Sequence, residues 1–204
     1  YNWEYNGNLY PTHGLGPVAQ YLGVGRGDQF KYLVSASSPE RSLTKFRDEH
    51  HPNGGRHAGE KYICGDMNTS LVKTALGRTI MIQHDVVSPR PYSRINALYG
   101  TGATFFDYPA RLAVDDPKKF GLKADGSEAW LEEDDLKLMR EKFTHPLWRK
   151  LRDQARGGGH GGMDFVMNYR HLDCLRRGAT PDNTVYDAAE WSCIMELSSR
   201  SVAT

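Results

Sequence analysis

Between Thr79 and Val87 the chain alternates strictly: Ile80, Ile82, His84 and Val86 fall on one side, and Met81, Gln83 and Asp85 on the other. A period of two is the mark of a strand buried on one face. Ser70 to Ala75 runs into this stretch through a turn containing Gly77, so the two segments predict an antiparallel hairpin with one wetter face. A second hairpin is expected from Ile95 to Tyr99 and Ala103 to Tyr108 across Gly100-Thr101-Gly102, closed by Pro109. Phe30 to Val34 is apolar enough for a further short strand.

The last third changes period. Leu136, Met139 and Phe143 recur at helical spacing behind the acidic turn Glu132 to Asp135, the polarity that complements a helix dipole. Pro146 opens another helix carrying Leu147, Leu151 and Ala155. A third runs from about Met163 to Arg177, with Gly178 placed as its C-terminal cap. A fourth starts at Asp187, where Glu190 completes a capping box, and presents Ala188, Trp191, Ile194 and Met195. Near the start, Tyr1 to Gly16 reads as an irregular loop, Pro17 opens a short helix through Leu22, and Arg47 to Glu60 reads as a polar surface loop. These patterns predict an α+β fold: an open, mostly antiparallel sheet covered by helices on one side.

With 204 residues the chain suits a single domain, 1–204. Its 26 basic and 25 acidic residues leave a net charge of +1, which offers no footprint for nucleic acid and points to a small or neutral ligand. No apolar run approaches the roughly 20 residues of a membrane helix, so no membrane insertion is expected. Cys64, Cys174 and Cys193 form no CxxC pair and read as small buried thiols. The opening Tyr1-Asn2-Trp3, without an initiator Met, reads as a piece of a longer protein.

Several chemistries find no motif. Gly14-x-Gly16 and Gly23-x-Gly25-x-Gly27 follow no buried strand and complete no GxGxxG, so a Rossmann fold is absent from this chain. GxxxxGK[ST], HExxH and GxSxG are missing as well. His50, His51 and His57 match no standard metal spacing, and no metal is expected.

Two segments carry the functional signal. Asn8-Leu9-Tyr10-Pro11-Thr12-His13-Gly14-Leu15-Gly16-Pro17 sets a phenol and an imidazole three residues apart in a stretch whose prolines and glycines restrict the backbone. Gly157-Gly158-Gly159-His160-Gly161-Gly162 brackets one histidine with five glycines at the mouth of a helix, where another molecule could approach the backbone closely.

The strings NGNLYPTHGLGPVAQYL, GHGGMDFVMNYRHLDCLRRG and VYDAAEWSCIMELS resemble the C-terminal domain of glycoside hydrolase family 109. That family is the NAD-dependent α-N-acetylgalactosaminidase-like branch of the Gfo/Idh/MocA oxidoreductase superfamily. The resemblance implies an N-terminal Rossmann domain ahead of Tyr1 that holds most of the NAD, and a terminal N-acetylhexosamine glycan as substrate. It implies catalysis by transient oxidation at C3, deprotonation at C2 and elimination of the aglycone, a departure from the two-carboxylate route. Tyr10 and His13 match the tyrosine and histidine of the family's YPTH motif. Tyr92, in Ser88-Pro89-Arg90-Pro91-Tyr92, matches a further active-site tyrosine by spacing. His160 matches the histidine of GHGGMDF, and with Asn8 it is expected to contact substrate or cofactor.

The alternative is a sugar oxidoreductase of the same superfamily that releases its oxidised product. Such relatives carry DxGxH in the equivalent loop, where this chain has Tyr10-Pro11-Thr12-His13. A non-catalytic carbohydrate-binding module is the third reading. A homo-oligomer joined through the sheet is expected. Location is left open, since an export signal, common among family relatives, would lie ahead of Tyr1.

Overall fold

The computed structural model describes residues 2–52, 54–85, 87–126 and 128–204. Its elements, in chain order, are α1 (Thr12–Leu22), β1 (Phe30–Ser37), α2 (Ser42–His50), β2 (Asn68–Thr74), β3 (Thr79–His84), β4 (Asn96–Tyr99), β5 (Ala103–Asp107), β6 (Arg111–Val114), α3 (Glu133–Phe143), α4 (Pro146–Leu151), α5 (Met163–Arg177) and α6 (Val185–Ala203). The strands form two antiparallel sheets, ordered β1-β2-β3 and β4-β5-β6, so the α+β expectation holds. The chain divides into two compact units, one of Tyr1–Tyr92 with Val185–Thr204 and one of Ser93–Thr184.

In the first unit, β2 and β3 are the expected hairpin, turning at Gly77 with φ +86. Ile80 and Ile82 point into the core and Met81 and Gln83 away from it, as the alternation predicts; Val86 lies outside the described residues. The covered face packs on α1 and α6: Leu15, Ala19, Val72, Ile80, Ile82, Trp191 and Ile194 form one buried cluster. Full burial of a side chain such as Leu15 or Ile194 contributes about 1.5–3 kcal/mol. Asp187, Trp191, Ile194 and Ser198 make the buried stripe of α6 at three- and four-residue steps. On the other face, Val34, Leu71 and Met81 lie in one cross-strand row and are exposed.

Three elements depart from the sequence expectation. First, α1 begins at Thr12 and runs through Pro17. A proline there removes only the N–H that would have reached the carbonyl of His13, and the packing of Leu15, Gly16 and Ala19 holds the helix across it. Second, the polar stretch from Arg47 is not all loop, because α2 occupies it as far as His50. No residue of α2 is buried; its N-terminal amides are satisfied from a distance, with Asp66 accepting from the N–H groups of Arg41 and Ser42. Third, α6 starts at Val185, two residues before the expected capping box. Asp187 is buried and takes a bidentate hydrogen bond from Arg26, at 2.6 and 2.9 Å.

In the second unit, β4 and β5 form the second hairpin, and a strand the sequence did not announce, β6, adds to β5. Val114 of β6 meets Leu122, Leu131, Leu136 and Met139 in a second buried cluster beneath α3. Asp135, in the acidic turn of α3, is buried and accepts from the backbone N–H groups of Lys123 and Ala124. His145 caps α4 by accepting from the N–H of Leu147 at 3.1 Å. Gly178 ends α5 in the left-handed region with φ +63, as expected. Cys64 and Cys174 are buried and Cys193 is partly so, all of them free thiols.

Candidate functional site

In the first unit the chain enters along α6. Gly7 passes so close that a Cβ there would lie 2.8 Å from Ser198 Oγ, and the N–H of Asn8 donates to that same oxygen at 2.9 Å. Asn8 is wholly buried, and neither end of its amide has a hydrogen-bond partner among the described residues. Two residues on, Tyr10 emerges with 55% of its surface exposed. Pro11 then occupies the N-cap of α1 with φ −74, which sets His13 in the first turn. The rings of Tyr10 and His13 lie 4.9 Å apart with a 33° tilt, both side chains open to solvent. The helix carrying His13 is seated by Gly16, where a Cβ would lie 3.0 Å from the Trp191 ring.

Tyr92 belongs to the same unit and is 75% exposed. The segment leading to it is organised by Asp85, which accepts from the N–H groups of Val87 and Ser88 and pairs with Arg90. Burial alone would raise the Asp85 carboxyl, but the hydrogen bonds from Ser88, Val87 and Arg90 outweigh it and hold it below the ordinary carboxylate value. His84, next in line and half-buried, is pushed down by burial, with the neighbouring Asp85 opposing. Nothing in the sequence marks Asp85 as an organiser except its place two and three residues before Val87 and Ser88.

His160 lies in the second unit. It adopts φ +52 and ψ +42, left-handed values that cost a non-glycine residue on the order of 1 kcal/mol. Its Nδ1 is 3.0 Å from both carboxylate oxygens of Asp164, in the first turn of α5. The structure thus brings Tyr10 and His13 together in one unit, and gives His160 a partner in the other. That partner, four residues downstream, is legible in GHGGMD only as a spacing.

The histidines of the polar stretch take ordinary roles. His57 pairs with Glu60 at 2.9 Å, and His50 bonds the carbonyl of Phe46 at 2.9 Å. No group of three or more metal-ligating side chains gathers among the described residues. No helix among them is long and apolar enough to cross a membrane.

The family model described as "Glycosyl hydrolase 109, C-terminal domain" matches residues 1–204. The chain belongs to glycosyl hydrolase family 109. A family 109 protein of Shewanella amazonensis (strain ATCC BAA-1098 / SB2B) is 47% identical over 204 residues, covering 100% of this chain and 43% of that protein. Family 109 proteins of Shewanella putrefaciens (strain CN-32 / ATCC BAA-453) and Shewanella baltica (strain OS185) are each 48% identical over 198 residues, covering 97% of this chain and 42% of theirs. This family 109 chain therefore spans less than half the length of these relatives. What the match shows is membership of a glycosidase family.

Proposed function

We propose that this domain is the sugar-facing part of an NAD-dependent glycosidase that releases terminal N-acetylgalactosamine-type residues. The observation that carries the reading is the Tyr10–His13 pair: a phenol and an imidazole 4.9 Å apart, exposed at the start of a helix that is itself firmly seated in the core. When bound, NAD supplies the redox step at C3, which acidifies the proton at C2 and lets the aglycone leave from C1. The residues of this chain then have proton work to do. His13 and Tyr10 take the C3 hydroxyl proton and the C2 proton, exchange them with solvent, and reprotonate C2 and the C3 oxygen after water has added at C1. Histidine suits this because its unperturbed pKa of about 6.5 lies near working pH. Tyr92 positions the ring or acts as a further acid or base, and His160 contacts substrate or nicotinamide. Asn8 is a further expected substrate or cofactor contact, with its enclosed amide lacking a hydrogen-bond partner among the described residues.

The residues present fit the sugar end of this reaction and not the pyrophosphate of the cofactor. Pyrophosphates are held where a strand passes through a glycine turn into a helix N-terminus. Here Gly23-x-Gly25-x-Gly27 does the reverse: it leaves the C-terminus of α1 and enters β1 through the Val24–Asp28 bridge. We place the phosphate-binding part of the NAD site in a Rossmann domain outside these 204 residues.

The test is turnover of aryl N-acetylhexosaminides by the full-length protein in D2O. Hydrolysis should require NAD, accumulate no NADH, and give a sugar carrying deuterium at C2, because that proton is removed and replaced. Accumulation of one NADH per sugar would establish the oxidoreductase instead. Product without deuterium at C2 would refute the elimination route.

A further inference from the structure

We infer that Asp164 is the positioning residue of His160, holding the ring proton on Nδ1 and leaving Nε2 for the substrate. This rests on the reading of His160 as a site residue given above. A neutral imidazole has one donor and one acceptor nitrogen, whereas a carboxylate can only accept. With Nδ1 at 3.0 Å from both Asp164 oxygens, the proton belongs on Nδ1 and the lone pair on Nε2. Nε2 is then the atom able to take a proton from a substrate. Once it has done so, the carboxylate stabilises the imidazolium, and the same atom can give the proton back.

The local backbone is built around this contact. A Cβ on Gly159 would lie 2.3 Å from Asp164 Oδ2, so any side chain there would push the carboxylate off the imidazole. At Gly162, with φ +96, a Cβ would lie 2.8 Å from the carbonyl oxygen of Ala155, a buried residue. Between these two, His160 itself is held left-handed. Glycine at 159 and a left-handed histidine beside it leave room for a side chain at the start of α5 to reach the ring, while Gly162 lets the same turn pass close to Ala155.

A rival role for Asp164 is structural: an acid in the first turn of a helix favours the helix dipole. It predicts a change in melting temperature and nothing at the imidazole. Three variants of the full-length protein separate the two. Asp164→Asn keeps the shape but loses the charge and offers Nδ1 an N–H donor as well as an oxygen acceptor, so it no longer fixes the ring proton there. Gly159→Ala leaves the carboxylate intact and displaces it, and His160→Ala removes the ring. If Asp164 positions His160, the first two should each lower kcat by about 10- to 100-fold, the usual effect of losing the group that orients a functional histidine. Neither should lower it further on a His160→Ala background. Nitrogen-15 NMR of the histidine ring should show the Nδ1–H tautomer in the parent and a mixture of tautomers in Asp164→Asn and Gly159→Ala.

Unchanged tautomer and kcat in both variants, or a full additional loss on the His160→Ala background, would overturn the inference. If His160→Ala is impaired but Asp164→Asn is not, Asp164 alone has been misread. If His160→Ala turns over at the parental rate, the assignment of His160 to the site fails, and the role of Asp164 with it.

Discussion

His13 and Leu15 sit two residues apart on one helix and should fail in opposite ways. The His13 side chain is exposed, so His13→Ala leaves no cavity and breaks no core contact. Such a change normally moves stability by less than about 0.5 kcal/mol, and alanine's better helix propensity would push the sign slightly upward. If His13 handles a proton in the slow part of the reaction, kcat in the full-length protein should fall by roughly 10²- to 10⁴-fold, equivalent to about 2.7–5.5 kcal/mol of transition-state stabilisation. Leu15 is completely buried in the cluster with Ala19, Val72 and Trp191. Leu15→Ala should remove about 2.7–5 kcal/mol of stability, transfer and cavity terms together. For a protein of this size that is a drop of very roughly 5–20 °C in melting temperature. At a temperature where the variant stays folded, kcat per folded molecule should be near normal. The assay is kcat on an aryl N-acetylhexosaminide and a calorimetric melt on the same preparations. A His13→Ala protein that is destabilised yet fully active would refute the proton-transfer role, because it would make the ring a packing element.

Two glycines of α1 should also diverge: Gly14→Ala, with nothing within 4 Å of the new methyl, should add the roughly 1 kcal/mol of stability that alanine gains in a helix and raise the melting temperature, whereas Gly16→Ala, 3.0 Å from Trp191, should lower it. Equal shifts for both would contradict the seating of α1 on α6. Asp28 is buried, and although burial pushes its carboxyl up, hydrogen bonds from the Leu76 N–H, Thr74, Arg78 and the Gln29 N–H hold it far below the ordinary range. A depressed carboxylate stabilises the fold above its unfolded value of about 3.9 and loses that contribution as pH falls below it. Asp28→Asn should therefore melt lower than the parent at neutral pH, with the gap closing in melts taken below about pH 4; a gap that is constant or widens in acid would show the charge is not what matters. Self-association through the sheet would use the exposed Val34–Leu71–Met81 row. Leu71→Lys should then shift the mass found by light scattering to the monomer, and an unchanged mass would exclude that face.

What could be read from the sequence follows how local each determinant is. The β2–β3 hairpin is written in the alternation of Ile80 and Ile82 with Met81 and Gln83, and the end of α5 in Gly178, so both are visible in a short window. The α2 helix is not, because its stabilising groups are Glu40, which caps Thr44 from just outside the helix, and Asp66, which reaches Ser42 from 24 residues away. A helix with no buried residue leaves no periodic trace. In α1 the local signals pointed the wrong way: Pro17 read as a beginning, but tertiary packing of Leu15 and Gly16 on the core overrides it, and this moved His13 from a loop into a helical turn. The site shows the same division. Tyr10, His13 and His160 stand out because proline and glycine crowd around them. Asp164 does not, since its reach to His160 needs a left-handed histidine and the absence of one methyl at Gly159, neither of which has a sequence period. Asn8, between Gly7 and Leu9 and expected to contact substrate or cofactor, carries no local sign of burial, yet the closeness of Gly7 to Ser198 near the other end of the chain draws it wholly inside. Chemistry-bearing residues were therefore legible as types, while their orientation depends on contacts that no local window contains.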